Sequence, residues 1–248
     1  MLEVSGLVKH FGGVKAVDGI DFTVQAGEIF GLIGPNGSGK STTVNLVCGV
    51  FAPTAGTIRI EGRDITRLQP HGRVAAGIAR TFQNIRLFGE LTVWENLWVA
   101  DNRQGGIRRW LASGQRIRSE MGEILEFAGL AHRRDTLAGA LSFGEQRRLE
   151  LARAVAARPR VLLLDEPAAG MNLEEVEQLR QRILELRARG LTVLLVEHVM
   201  ELVMGVTDRI AVLNFGRKIA EGTPSQIQND PLVREAYLGV NEEADAAH

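Results

Sequence analysis

The chain has 248 residues, 45% of them apolar, enough for one large domain or two small ones around a sizeable core. Its 29 basic residues are matched by 30 acidic ones, so it lacks the positive footprint that neutralises nucleic-acid phosphates, and nucleic acid is excluded as the main partner. A single cysteine, Cys48, rules out an internal disulfide; with no secretory signal and no run near the roughly 20 apolar residues of a membrane span, the expected compartment is the cytoplasm.

In chain order, antiparallel strands are expected over Leu2 to Val24, then the buried-looking strand "EIFGLIG" feeds a helix at "KSTTVNLVCGV", with Cys48 on its apolar side as a small core residue. "GTIRIEGRDI" reads as a hairpin. From about Thr92 to Ala157 the period is helical with no convincing strand, which predicts a helical subdomain (92–157) inserted in an α/β core (1–91 and 158–240). "RVLLLDEP" and "LTVLLVEH" then read as further buried parallel strands. Between them, Leu173, Val176, Leu179, Ile183 and Leu186 mark one face of a helix with acidic first turns, Arg187 and Arg189 near its end, and Gly190 as its stop. The tail 241–248, "NEEADAAH", is expected to be flexible.

Residues 34–42, "GPNGSGKST", fit G-x-x-x-x-G-K-[ST] between a predicted strand and a predicted helix. Gly34, Gly37 and Gly39 let the backbone amides around Pro35, Asn36 and Ser38 turn toward phosphate oxygens, and the helix adds its positive N-terminus. Lys40 would reach the β- and γ-phosphates, Ser41 would bind Mg²⁺ and Thr42 would give a further phosphate contact. Asp165 closes "VLLLD" at the strand end where α/β sheets place ligands, and is the candidate metal carboxylate. Glu166 is the candidate general base for the water attacking the γ-phosphate. A helix cap and a first-turn acid before Pro167 are the structural alternative for this pair.

"LSFGEQ" at 141–146 could be a capping box and no more, Ser142 and Glu145 satisfying a helix start. Set beside the phosphate loop and "LLLDEP", however, it resembles the LSGGQ signature of ABC transporter ATP-binding subunits, and the likeness runs from Leu2 to "AYLG" at Tyr237. The resemblance implies an α/β P-loop NTPase of the ABC ATPase type, with a RecA-like core, an antiparallel β subdomain and an inserted helical subdomain. It implies ATP and Mg²⁺ as ligands, and a head-to-tail dimer in which Ser142, Gly144 and Gln146 face the ATP held by a second subunit. Phe11 resembles the aromatic residue that stacks on adenine, with a core phenylalanine as the alternative. Gln83 resembles the glutamine touching Mg²⁺ and the lytic water, and His198 the switch histidine at the γ-phosphate. Phe143 stands where the family commonly has glycine, and Asn172 where it has aspartate.

"RTFQNIRLFGELTVWENLWVA", "DEPAAGMN" and "VLLVEHVMELVMGVTDRI" resemble the ATPases of branched-chain or hydrophobic amino-acid uptake systems, as does an insertion holding five arginines between 103 and 118. This implies hydrolysis coupled to transport at the cytoplasmic face of a membrane, beside a second ATPase subunit (a paralogue or a second copy), two transmembrane permease subunits and, indirectly, a substrate-binding protein. The five arginines could face lipid headgroups or a subunit loop, or form a solvated face. A urea or amide importer, a lipopolysaccharide exporter and a soluble non-transport ABC ATPase are the alternatives. Leu87, Phe88 and Trp94 would meet the membrane subunit, or else pack only the helical subdomain.

Overall fold

Strand β1 (Leu2–Phe11) turns Leu2 and Val4 inward and Glu3 toward solvent, the period-two pattern of a sheet covered on one face. It pairs antiparallel with β2 (Val14–Val24), Leu2 opposite Val24. The next strand, β3 (Ile29–Ile33), is buried along its whole length and passes through the phosphate loop into α1 (Lys40–Val47). The chain then returns in β4 (Ala55–Ile60), which pairs with β1 and with the short β5 (Arg63–Asp64), giving a four-stranded antiparallel sheet in the order β2-β1-β4-β5. Helix α2 (Pro70–Ala75), with proline in its first turn, leads to β6 (Ile78–Arg80). The structure is a computed structural model that describes residues 1–82, 84–101 and 107–237; the tail 241–248 and part of the arginine-rich stretch lie outside them.

Three helices follow: α3 (Val93–Asp101), α4 (Ile107–Ala128) and α5 (Phe143–Ala156). Val93, Leu97, Met121, Leu125, Leu149 and Ala152 give them a core of their own. The chain re-enters the α/β layers with β7 (Val161–Asp165), α6 (Leu173–Ala188), β8 (Thr192–Val196), α7 (Met200–Val206), β9 (Arg209–Asn214), β10 (Arg217–Gly222) and α8 (Pro224–Asn229). The second sheet runs β10-β9-β3-β8-β7-β6, parallel except for the β10–β9 pair. One apolar cluster lies between this sheet, α1 and the antiparallel sheet, and a second lies under α6 and α7. Covering on both faces explains why β3, β7 and β8 are apolar without alternation. Truncating Leu163 or Leu194 to alanine here would cost about 3 kcal/mol.

Helix α6 corrects one expectation. Val176, Leu179, Ile183 and Leu186 are buried, but Leu173 is 80% exposed. It is the first helical residue, directly after the cap Asn172, and the apolar stripe begins only one turn later. Because β3, β7 and β8 are parallel, their C-terminal ends open on one edge, so the loops after Ile33, Asp165 and Val196 converge there.

Candidate nucleotide site

The loop between β3 and α1 is shaped by its glycines. Gly39 caps α1 at φ 103°, and a Cβ there would stand 2.5 Å from the Ala16 carbonyl oxygen. A Cβ at Gly34 would fall 2.1 Å from the Leu213 oxygen, so a side chain is excluded at both positions. Lys40 is buried, and its Nζ donates to the Gly34 and Pro35 carbonyls at 2.7 and 2.9 Å. An ammonium has three protons, which leaves one for a ligand. Burial pushes the Lys40 pKa down, against the pull of the Glu166 and Asp165 carboxylates. Ser38 Oγ is buried and has no hydrogen-bond partner among the described residues, which leaves it able to meet a ligand oxygen. Asn36, Gly37 and Ser41 are exposed along this loop, and Thr42 is half-buried.

Asp165 and Glu166 lie at the end of β7, within the field of Lys40. Asp165 is buried, and its Oδ2 accepts from Arg80 Nη2 at 2.6 Å, while Arg80 Nη1 donates to Asn45 on α1 at 2.7 Å. Glu166 stands at φ 47°, a left-handed conformation uncommon outside glycine. Its Oε2 is 3.9 Å from His198 Nδ1, and the imidazole is mostly exposed. Neither Asp165 nor Glu166 is the N-cap of the next helix, which is Asn172, seven positions after Asp165.

Two residues at this edge escape a motif search. Glu197 is fully buried: one carboxylate oxygen accepts from the Ala168 amide at 2.7 Å, the other from the His198 and Val199 amides at 2.7 and 3.0 Å. It thereby ties the loop carrying Glu166 to the turn carrying His198. The only hint in the sequence is an acid directly after an apolar strand. Arg80 gives no pattern either, because its partner is 85 positions away.

The signature residues lie at the start of α5. Ser142 is its N-cap in a complete capping box: the Glu145 amide donates to Ser142 Oγ, and Glu145 Oε2 accepts from the Ser142 amide at 2.9 Å. The Ser142 amide is also the leading reason that the Glu145 pKa falls, with Arg133 adding to it. Gln146 turns its side-chain amide back to the Leu141 carbonyl at 3.1 Å. A Cβ on Gly144 would come within 2.8 Å of Glu175 Oε1, so a side chain there would displace that carboxylate. Half-exposed Phe143 packs its ring over Gly170, so both departures from the family pattern meet in one place, since Asn172 caps α6 through a box with Glu175.

Phe11 is 43% exposed, which overturns the alternative of a core residue; its ring packs edge-on against Phe51 at 5.3 Å. Of the three apolar candidates for a membrane-subunit contact, Leu87 and Trp94 pack on the helical core, whereas Phe88 is 50% exposed. Gln83 lies outside the described residues. Cys48 is partly buried against the core, as expected.

Residues 17–169 match the ABC transporter family, and residues 217–243 match a second family described as branched-chain amino acid ATP-binding cassette transporter. The chain is 45% identical to the high-affinity branched-chain amino acid transport ATP-binding protein BraF of Pseudomonas aeruginosa, covering 96% of this chain and 98% of that one. It is 41% identical to the lipopolysaccharide export system ATP-binding protein LptB of Haemophilus influenzae, over 96% and 97% of the two chains. The crystal structure of the ADP conformation of MJ1267, an ATP-binding cassette of an ABC transporter, is similar at TM-score 0.85 and 34% identity, covering 96% and 98%. Among the described residues no helix is long and apolar enough to cross a membrane. On the phosphate loop, the acidic end of β7, the signature helix and these likenesses together, the chain belongs to the ABC transporter family, as one of its ATP-hydrolysing cassettes.

Proposed function

We propose that this cassette energises a membrane importer for branched-chain or other hydrophobic amino acids. The observation that carries the hydrolytic part is the meeting of Lys40, Asp165, Glu166 and His198 on one edge of the parallel sheet. The solute class is supported by 45% identity to a branched-chain amino-acid protein over almost the whole chain, together with the match at 217–243.

In this reading residues 34–42 hold the phosphates of ATP, Ser38 Oγ and the third Lys40 proton being available to them, and the exposed face of Phe11 stacks on adenine. Ser41, Asp165 and Gln83 would hold Mg²⁺, whose charge would offset that of the phosphates. The donor set is hard oxygen, which suits that ion. The Glu166 carboxylate takes a proton from water as its oxygen bonds to the γ-phosphorus and the bond to ADP breaks, and His198 contacts the γ-phosphate.

One phosphate loop and one signature stretch in the chain favour a head-to-tail dimer with a paralogue or a second copy, in which Ser142, Gly144 and Gln146 complete the partner's site. Two permease subunits would dock near Phe88 at the cytoplasmic face of the membrane, with a substrate-binding protein acting through them. In this division 1–91 and 158–240 form the core and 92–157 the helical subdomain.

A second reading, an ATPase for lipopolysaccharide export, is favoured by the 41% identity to the Haemophilus influenzae protein. Reconstitution with the permease subunits and binding protein of a branched-chain amino-acid uptake system decides between them. ATP-dependent uptake of leucine, isoleucine or valine is expected. Movement of another solute only, with none of these three, would overturn the amino-acid assignment.

A further inference from the structure

Two consecutive residues of the loop after β6 are bonded to different bodies. The Thr81 amide donates to the Leu163 carbonyl of β7 at 2.9 Å, and Thr81 Oγ1 accepts from the Asp165 amide at 3.4 Å. Phe82 turns the other way. Its amide donates to Glu150 Oε1 at 3.2 Å, and its carbonyl accepts from Arg147 Nη1 at 2.9 Å, both on α5. Arg147 and Glu150 are themselves paired at 3.4 Å and almost wholly buried.

We infer that Arg147 and Glu150 are positioning residues, which fasten the loop after Thr81 to the signature helix through the Phe82 backbone. A buried acid and base in mid-helix are not needed for the packing of α5, whose apolar face already meets α3 and α4 through Leu149 and Ala152. What the pair does satisfy is backbone: the half-buried Phe82 amide and carbonyl, which lie just past the end of β6. Charged partners make these bonds stronger than neutral ones, so the loop is held to α5 more firmly than a mere contact would hold it. Burial raises the Glu150 pKa, opposed by the Phe82 amide and the Arg147 charge, the two donors that face this carboxylate.

Distances between spin labels test this on the full chain. In a Cys48→Ser background, labels are placed at two exposed positions, Asn84→Cys in the loop and Glu123→Cys on α4. With Arg147 present the expected distance distribution is narrow. Arg147→Met should widen it by about twofold and lower kcat about tenfold, nucleotide affinity staying within about twofold, the size expected for a lost charge-assisted bond. Arg147→Lys, which keeps a donor for the Phe82 carbonyl, should restore the narrow distribution. Glu150→Gln keeps shape and one acceptor, and should widen it less than Arg147→Met. A distribution as narrow in Arg147→Met as in the parent overturns the inference. Should Arg147→Met not fold, an unchanged distribution in Glu150→Gln does so.

Discussion

Arg80 Nη2 and Asp165 Oδ2, 2.6 Å apart, close a buried ion pair between the ends of β6 and β7. Removing one partner of such a pair leaves the other charge uncompensated. Asp165→Ala is therefore expected to lower stability by about 3 kcal/mol, read as a shift in the urea midpoint at unchanged slope. An unfolding curve matching that of the parent would show that Arg80 is solvated or paired otherwise.

Glu166 is more exposed than Asp165, and Glu166→Gln keeps its size and its left-handed backbone. The variant should bind MgATP with normal affinity and lose about a thousandfold in turnover, within the range of a general base. Steady-state hydrolysis near the parent rate would remove Glu166 from that role.

Ser142→Arg places a charged side chain at the exposed N-cap of α5, away from the chain's own phosphate loop. Hydrolysis should fall to background while the isolated subunit binds ATP as before, and ATP-dependent dimerisation by light scattering should disappear. Weak ATP binding by the monomeric variant would mean that the signature serves its own site.

Phe88 has half its surface free, with the Arg153 guanidinium over its ring at 5.6 Å. As an interface anchor it should contribute about 2 kcal/mol. Phe88→Ala should loosen the complex with the permease in pull-down titrations and leave the melting temperature and ATP affinity of the subunit unchanged. Full ATP-driven uptake by this variant would end its assignment to the membrane contact.

Burial pushes the Cys48 thiol up from 9.0 to about 11, more strongly than the nearby Arg80 pulls it down. At pH 8 about a hundredfold less thiolate is then present than for the ordinary thiol. Labelling by a thiol reagent should be slow in the folded protein and rapid in urea. It should quicken as pH rises toward 11. Fast labelling at pH 8 without denaturant would show that the thiol is not buried.

Much of the fold was legible because its strongest signals are local. Runs such as "VLLLD" announce strands covered on both faces, and "GPNGSGKST" carries its loop and helix start within nine residues. What stayed hidden depends on residues brought together over long separations. Arg80 meets Asp165 across 85 positions, and Phe82 meets Glu150 across 68. Glu197 is closer in sequence to its partners, but a buried carboxylate that serves backbone amides has no spacing rule. Leu173 shows the opposite error, since its place in the stripe is perfect and nothing covers it.

Glu197 also bears on any attempt to redesign this catalytic edge. One side chain holds the amides of Ala168, His198 and Val199, so a transplant of the base and the histidine into another scaffold inherits a third, silent component. A graft lacking it would keep every motif letter yet let the two loops drift apart. Libraries that vary the turn around His198 should keep position 197 fixed, and a screen that reads only the motif residues would score its loss as unexplained.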